Sequence, residues 1–263
     1  LFTGELSIRG VNLEPDSVAF LKWQAGDTLP NIYYKVHLEE IHFRGVNLTW
    51  IWDYSHLNFS LFELKSPDVK IYQPESSRIQ KENTGNDDKT LYEIISPFIK
   101  ELTVKIIRLH NANVSYIVED ADSPIIYSLK DANFRAFDFR LDENSYESGN
   151  LLYSDHFEFK ADKPQLLLYS DQLILKTANI KLSTIESLIK IEGVEISPKD
   201  SLWVNRMQEA GEYLKSEIKA VTAEGVTFNR EKAKNYLHAL SFNIESTDIQ
   251  YHSVKVNEQE KED

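Results

Sequence analysis

One phrase structure recurs along this chain: an alternating apolar run, a small or polar break, then a second alternating run. LSIRGVNLE, VHLEEIHFRGVNLTW, FELKSPDVKIY, VKIIRLHNANVSYIV, YSLKDANFRAFDF, LILKTANIKLS, IKIEGVEIS, IKAVTAEGVTF and LSFNIESTDIQY all carry it. Alternation with period two places every second side chain on one face of a strand. The breaks are RG, SPD, HNAN, KDAN, TAN, EG and ST. They read as β-bulges or tight bends, because Gly, Asn and Asp tolerate unusual backbone angles. A Gly inside a strand pattern often marks such a place. Bulges add twist, so a sheet with a break in each strand curls strongly. The expected fold is mainly β: an elongated, strongly curled antiparallel sheet, groove-like, built from repeated strand–kink–strand units, with a few short α-helices.

The phrases also repeat at long range. IRGVNLEP (8–15) returns as IEGVEISP (191–198), and residues 33–72 lie over residues 213–252 without a gap. Tyr33 meets Tyr213, Lys35 meets Lys215, Gly45-Val46 meets Gly225-Val226, Leu57 meets Leu237, and Phe62 meets Phe242. Ser66 and Asp68 meet Ser246 and Asp248. A duplication that lengthens a curled sheet accounts for this. The implied division is a first β-repeat unit over 1–72, an intervening β region over 73–187 with a short helix near 90–100, a second β-repeat unit over 188–256, and a disordered tail over 257–263. The helix is expected from Asp88 to Leu102, with Leu91, Ile94, Ile95, Phe98, Ile99 and Leu102 at helical spacing and Pro97 bending it. Two further short helices are expected, over about 200–210 and from Arg230 to His238.

Composition removes several classes of function. Acidic residues outnumber basic ones, 42 to 29, for a net charge of −13. A phosphate-backbone binder needs a basic face to displace counterions, so no nucleic-acid partner is expected. Docking on anionic headgroups by charge alone is disfavoured too. There are no cysteines, hence no disulfides, thiolate metal sites or thiol nucleophiles. The seven histidines form no H-x-x-x-H or H-x-H pair, and no metal is expected. No phosphate loop, dinucleotide fingerprint or G-x-S-x-G elbow is present, and no cofactor is expected. The adjacent carboxylates Glu39-Glu40, Asp87-Asp88 and Glu119-Asp120 read as strand-end or loop pairs. No catalytic residue is assigned.

A curled sheet with one apolar face must cover that face or fill it with ligand. Alternation singles out Val114, Tyr116 and Val118 on one strand, and Ile180 and Leu182 on another, as groove candidates. Trp50 and Trp52 would point the same way from a strand. The second unit has Arg230 and Lys232 there, so these indoles are candidate exposed contacts, or else a local core.

The phrases IHFRGVNL, LFELKSPDVKIYQP, KIIRLHNANVSYIVEDAD and YSLKDANFRAFDF resemble the AsmA-like proteins of the Gram-negative envelope. These belong to the repeating β-groove, or bridge-like lipid-transfer, superfamily. The resemblance runs over most of residues 5–252 and rests on strand-and-kink pattern, not on a catalytic signature. It implies an N-terminal inner-membrane anchor, a periplasmic body, and an apolar groove that binds or transfers phospholipid or fatty acyl chains in outer-membrane biogenesis. The chain starts at Leu1 and holds no such anchor, which reads as a missing upstream segment. Two other readings stand beside it. One is a structural scaffold domain of a larger envelope protein. The other is a carbohydrate-binding β protein, with Trp50, Trp52, Tyr33 and Tyr34 as its aromatic platform.

Overall fold

The computed structural model describes residues 4–16, 32–46, 56–74, 91–119, 125–145, 150–168, 173–198, 212–231 and 234–253. Their dominant element is one curled sheet of 13 strands. In chain order the strands are β1 (Gly4–Leu13), β2 (Tyr33–Val46), β3 (His56–Phe59), β4 (Leu61–Lys65), β5 (Asp68–Gln73), β6 (Glu101–Val118), β7 (Ile125–Leu141), β8 (His156–Leu168), β9 (Leu173–Lys176), β10 (Asn179–Ser183), β11 (Leu188–Pro198), β12 (Glu212–Glu224), β13 (Thr227–Glu231), β14 (Lys234–His238) and β15 (Ser241–Ser253). The sheet runs β1-β2-β4-β6-β7-β8-β10-β11-β12-β15. Strands β3, β4 and β5 act as one interrupted ribbon against β6, and β9 with β10 as another between β8 and β11. Strands β13 and β14 form a separate hairpin.

The predicted kinks are real, and they line up. Gly10, Ser66, Asn111, Asp131, Gly193 and Ser246 have φ of +65°, +47°, +52°, +50°, +61° and +45°. The TAN break falls in the gap between β9 and β10. Lys163, which the pattern does not flag, has φ of +49°. These positions neighbour one another across the ladder: Ser66 N–H donates to His110 O at 2.9 Å, Lys163 N–H to Ala178 O at 2.9 Å, and Ala178 N–H to Glu192 O at 2.8 Å. One crease therefore crosses the whole sheet obliquely. A second passes through Gly45, Asp138 and Gly225, with φ of +69°, +53° and +64°.

The crease solves a phase problem. An extra residue in one strand would turn every later side chain to the other face. Here neighbouring strands carry the extra residue together, so Arg9↔Glu40 before the break and Val11↔Leu38 after it stay in step. Apolar positions that are two apart within a run become three apart across the crease. Ile8 is followed by Val11, Leu38 by Ile41, and Leu109 by Ala112. The apolar face stays continuous while the sheet bends.

Three expectations need correction. The sheet is mixed, not purely antiparallel: β3, β4 and β5 run parallel to β6. The 88–102 helix is a single helical stretch, α1 (Leu91–Ile95). Ser96 precedes Pro97, whose ring disfavours helical angles in the residue before it, and Leu102 already pairs with Leu57 in the sheet. The Arg230–His238 helix does not form, because Thr227–Glu231 and Lys234–His238 are the two arms of the β13–β14 hairpin. The 200–210 helix and the 257–263 tail lie outside the described residues.

Candidate functional site

Reading the ladder strand by strand gives a single unbroken row: Ile8, Ile41, Leu64, Leu109, Phe134, Phe159, Leu182, Ile189, Ala223 and Phe242. Every strand on the sheet's main path contributes an apolar side chain to it. A second row, Leu6, Phe43, Phe62, Ile107, Ala136 and Phe157, runs beside it. Its rings touch, with Phe43 and Phe62 centroids 5.1 Å apart. A third row, between the first row and the crease, holds Ala161, Ile180, Ile191, Val221 and Ile244. The intervening positions give the opposite face its character: Ser7, His42, Glu63, Arg108, Arg135 and Glu158 line up in register there.

The apolar face is tightly packed beside the crease. Val118 on β6 and Ile174 on β9 form one buried cluster, with Tyr116 and Tyr127 packed against it. Strands β7 and β8 lie between them, which on a flat sheet means about 14 Å of separation at ~4.8 Å per strand. The sheet must curl between β6 and β9 for them to meet. Crowding at the bend explains why small residues sit there: Ala112, Ala132 and Ala161 are 3%, 4% and 1% exposed, with Leu129 and Phe159 packed over them. At one end, the β13–β14 hairpin and the 3-10 turn Leu151–Tyr153 fold over this face. Phe228 lies 5.4 Å from Phe157, and Tyr153 meets Phe139 edge-on at 6.2 Å. A polar hollow of about 750 Å³, bordered by Lys105, Asp138, Arg140 and Asp155, adjoins that end.

Most of the row's middle residues are neither covered nor free. Ile41, Leu64, Leu109, Phe134, Phe159, Leu182 and Ile189 are all half-buried by their neighbours. Among the described residues, no second layer packs across the row. Among the described residues the sheet thus presents a half-buried apolar lining.

All five groove candidates lie on this face. Val118 is nearly sealed beneath Tyr116, Tyr127 and Ile174, so it serves as floor and not as a contact surface. Val114, across the crease from Leu109, pairs with Leu129 and Val69. Tyr116 donates its hydroxyl proton to Gln73. Ile180 and Leu182 pair with Ala161 and Phe159. Leu109, Phe134, Phe159 and Ile189, which form the row's centre, were not singled out. The alternation does find them once its phase is shifted by one residue at each predicted kink. Trp50 and Trp52 lie outside the described residues. Tyr33 is not an open platform: its ring stacks on Tyr72 at 4.7 Å and its hydroxyl donates to Glu119 Oε1 at 2.9 Å. Burial pushes that phenol's pKa far up, and Glu119 adds to the shift. Tyr34 is exposed.

The polar face is knitted by charge pairs. Lys65 Nζ donates to Glu40 at 2.9 Å, and His110 stands 3.1 Å from Glu63. Lys65 and then Ser7 hold the Glu40 carboxyl below its ordinary pKa. Among the described residues no group of three or more His, Cys, Asp or Glu is placed to hold a metal ion. A scan against protein-family models and a search of curated proteins return no match to this chain.

Proposed function

We propose that this protein is a non-enzymatic carrier of acyl chains, a cell-envelope module that binds or transfers phospholipid or fatty acid along its apolar β-face. The observation that carries the reading is the apolar row running unbroken from Ile8 to Phe242 across one face of the curled sheet. An acyl chain needs no fixed polar partner, and each buried CH₂ returns about 0.8 kcal/mol. A continuous strip also lets a chain slide from strand to strand without leaving apolar surroundings, which a closed pocket does not. The strand-and-kink resemblance to AsmA-like proteins supports the same reading. It adds the finer proposal of a periplasmic protein held at the inner membrane by an N-terminal anchor.

The test is solvent extraction and mass spectrometry of protein purified without detergent from a Gram-negative host, followed by titration with a fluorescent fatty acid. Stoichiometric lipid, lost in Leu109→Glu while the strand circular-dichroism signal is kept, supports the reading. A folded wild-type protein that binds neither host lipid nor the added probe overturns it in favour of a scaffold.

A further inference from the structure

The two repeat units share backbone detail far below the level of sequence identity. Ser60 N–H donates to Arg44 O at 2.9 Å, and the equivalent Leu240 N–H donates to Glu224 O at 2.9 Å. Ser66 and Ser246 both hold positive φ, +47° and +45°. Phe43↔Phe62 and Ile41↔Leu64 in the first unit become Ala223↔Phe242 and Val221↔Ile244 in the second. Strand β15 is therefore the counterpart of the β4–β5 ribbon, residue for residue.

Their far edges differ. The β4–β5 ribbon is covered by β6, which runs parallel to it in the register Phe62↔Ile107, Leu64↔Leu109, Val69↔Val114 and Lys70↔Ser115. Strand β15 has β12 on one side and no strand on the other among the described residues. The consequence shows in exposure. Phe62, Leu64 and Val69 are half-buried, whereas Phe242, Ile244 and Ile249 are 66%, 49% and 62% exposed. Natural sheets blunt a long free edge with proline, with charged side chains, lysine above all, or with a bulge that ends pairing. SFNIESTDIQYHS has neither proline nor lysine, and its one break, at Ser246, matches a break that β6 tolerates at Asn111.

We propose that the outer edge of β15 is a docking site for an extended polypeptide strand that runs parallel to it and continues the apolar face. The partner strand is apolar at alternate positions, so that it shields Phe242, Ile244 and Ile249. It carries a kink opposite Ser246. Glu245 already pairs with Lys219 at 3.5 Å, so the partner's one basic position stands opposite Asp248. Main-chain pairing supplies the affinity, and the alternating side chains supply the register. This inference rests on the repeat and is independent of lipid binding.

The chain has no cysteine, so one engineered disulfide reports the pairing. The probe is a peptide with the β6 sequence, residues 101–118, carrying Ser115→Cys or Thr103→Cys, mixed under mild oxidation with the Gln250→Cys protein. Gln250 is the counterpart of Lys70, which faces Ser115 in the first unit. Parallel docking in the inherited register therefore joins the Gln250→Cys protein to the Ser115→Cys peptide and not to the Thr103→Cys peptide. Adding Ile249→Lys to the protein, with its melting temperature checked, abolishes the cross-link. Preference for the Thr103→Cys peptide, equal reaction with both, or no reaction with either overturns the proposal. So does a disulfide between two copies of the Gln250→Cys protein that excludes the peptide, which would make a second copy the occupant.

Discussion

The first unit, β1 to β5, and the second, β11 to β15, put the same backbone to two uses. Both turn on a glycine at the crease, Gly10 and Gly193, and both bend again at Gly45 and Gly225. Yet the first unit is flanked by β6, while among the described residues no strand flanks β15 in the second. Glu40 and Lys65 form an ion pair in the first, where Ala220 and Glu245 stand in the second. The kinks are common to both because they fix curvature. The side chains differ because each unit meets a different neighbour.

The sharpest break of that comparison is at the crease glycines. A Cβ on Gly193 would lie 2.8 Å from the Ala178 Cβ, whereas at Gly10 nothing lies within 4 Å. Gly10→Ala meets only the cost of a positive φ, about 1–2 kcal/mol. Gly193→Ala adds overpacking of about 1–3 kcal/mol. Urea denaturation of the two variants is expected to show Gly193→Ala as clearly the less stable. Equal losses would mean the crease is not packed differently at its two glycines.

Ligand binding should divide along the same line. Leu109→Glu places a charge mid-row, where acyl chain and neighbouring strands both exclude water, and is expected to abolish fatty-acid uptake. Phe242→Glu alters the row's exposed end and is expected to weaken it only several-fold, since a surface site forfeits less burial. Titration with the same fluorescent probe ranks the two. Equal defects would argue against a continuous path.

Smaller effects test the equivalence of the serines. Ser66→Gly and Ser246→Gly each relieve a strained φ, partly offset by about 0.5–1 kcal/mol of glycine entropy. Thermal melts are expected to shift by no more than a few degrees, in the same direction for both. Smallest is the acid response of the first unit. The folded-state pKa of Glu40 is lowered by Lys65 and Ser7. Its contribution to stability is thus present above the unfolded carboxylate value and is lost as pH falls through the folded one. Glu40→Gln should be less stable than the parent protein at neutral pH, and the gap should close in acid.

Several parts of this architecture were legible in the residues. The kink motifs at Gly10, Ser66, Asn111, Asp131, Gly193 and Ser246 carry a local cause, because small and Asx-type residues accept positive φ. Alternation names the apolar side of any single run for the same local reason. What failed was phase across a kink. Leu109 and Val114 look out of step in the sequence, and only the shared extra residue in neighbouring strands puts them on one face. The Arg230–His238 stretch failed for another reason: helical spacing in so short a segment was outweighed by cross-strand pairing of Thr227 with His238 and Phe228 with Leu237.

By itself the sequence determined that the chain forms β-strands, that they kink, and that two stretches share one design. These follow from side-chain size, branching and backbone freedom, which act within a few residues. Tertiary structure alone decided that β6 runs parallel to β3, β4 and β5, that the kinks form one crease, and that one apolar row crosses ten strands. Each of those depends on which strands become neighbours. Ladder hydrogen bonds are the same for every residue type, so the choice of neighbour is written in no local pattern. It is set by how ten ribbons can share one apolar row while the sheet curls.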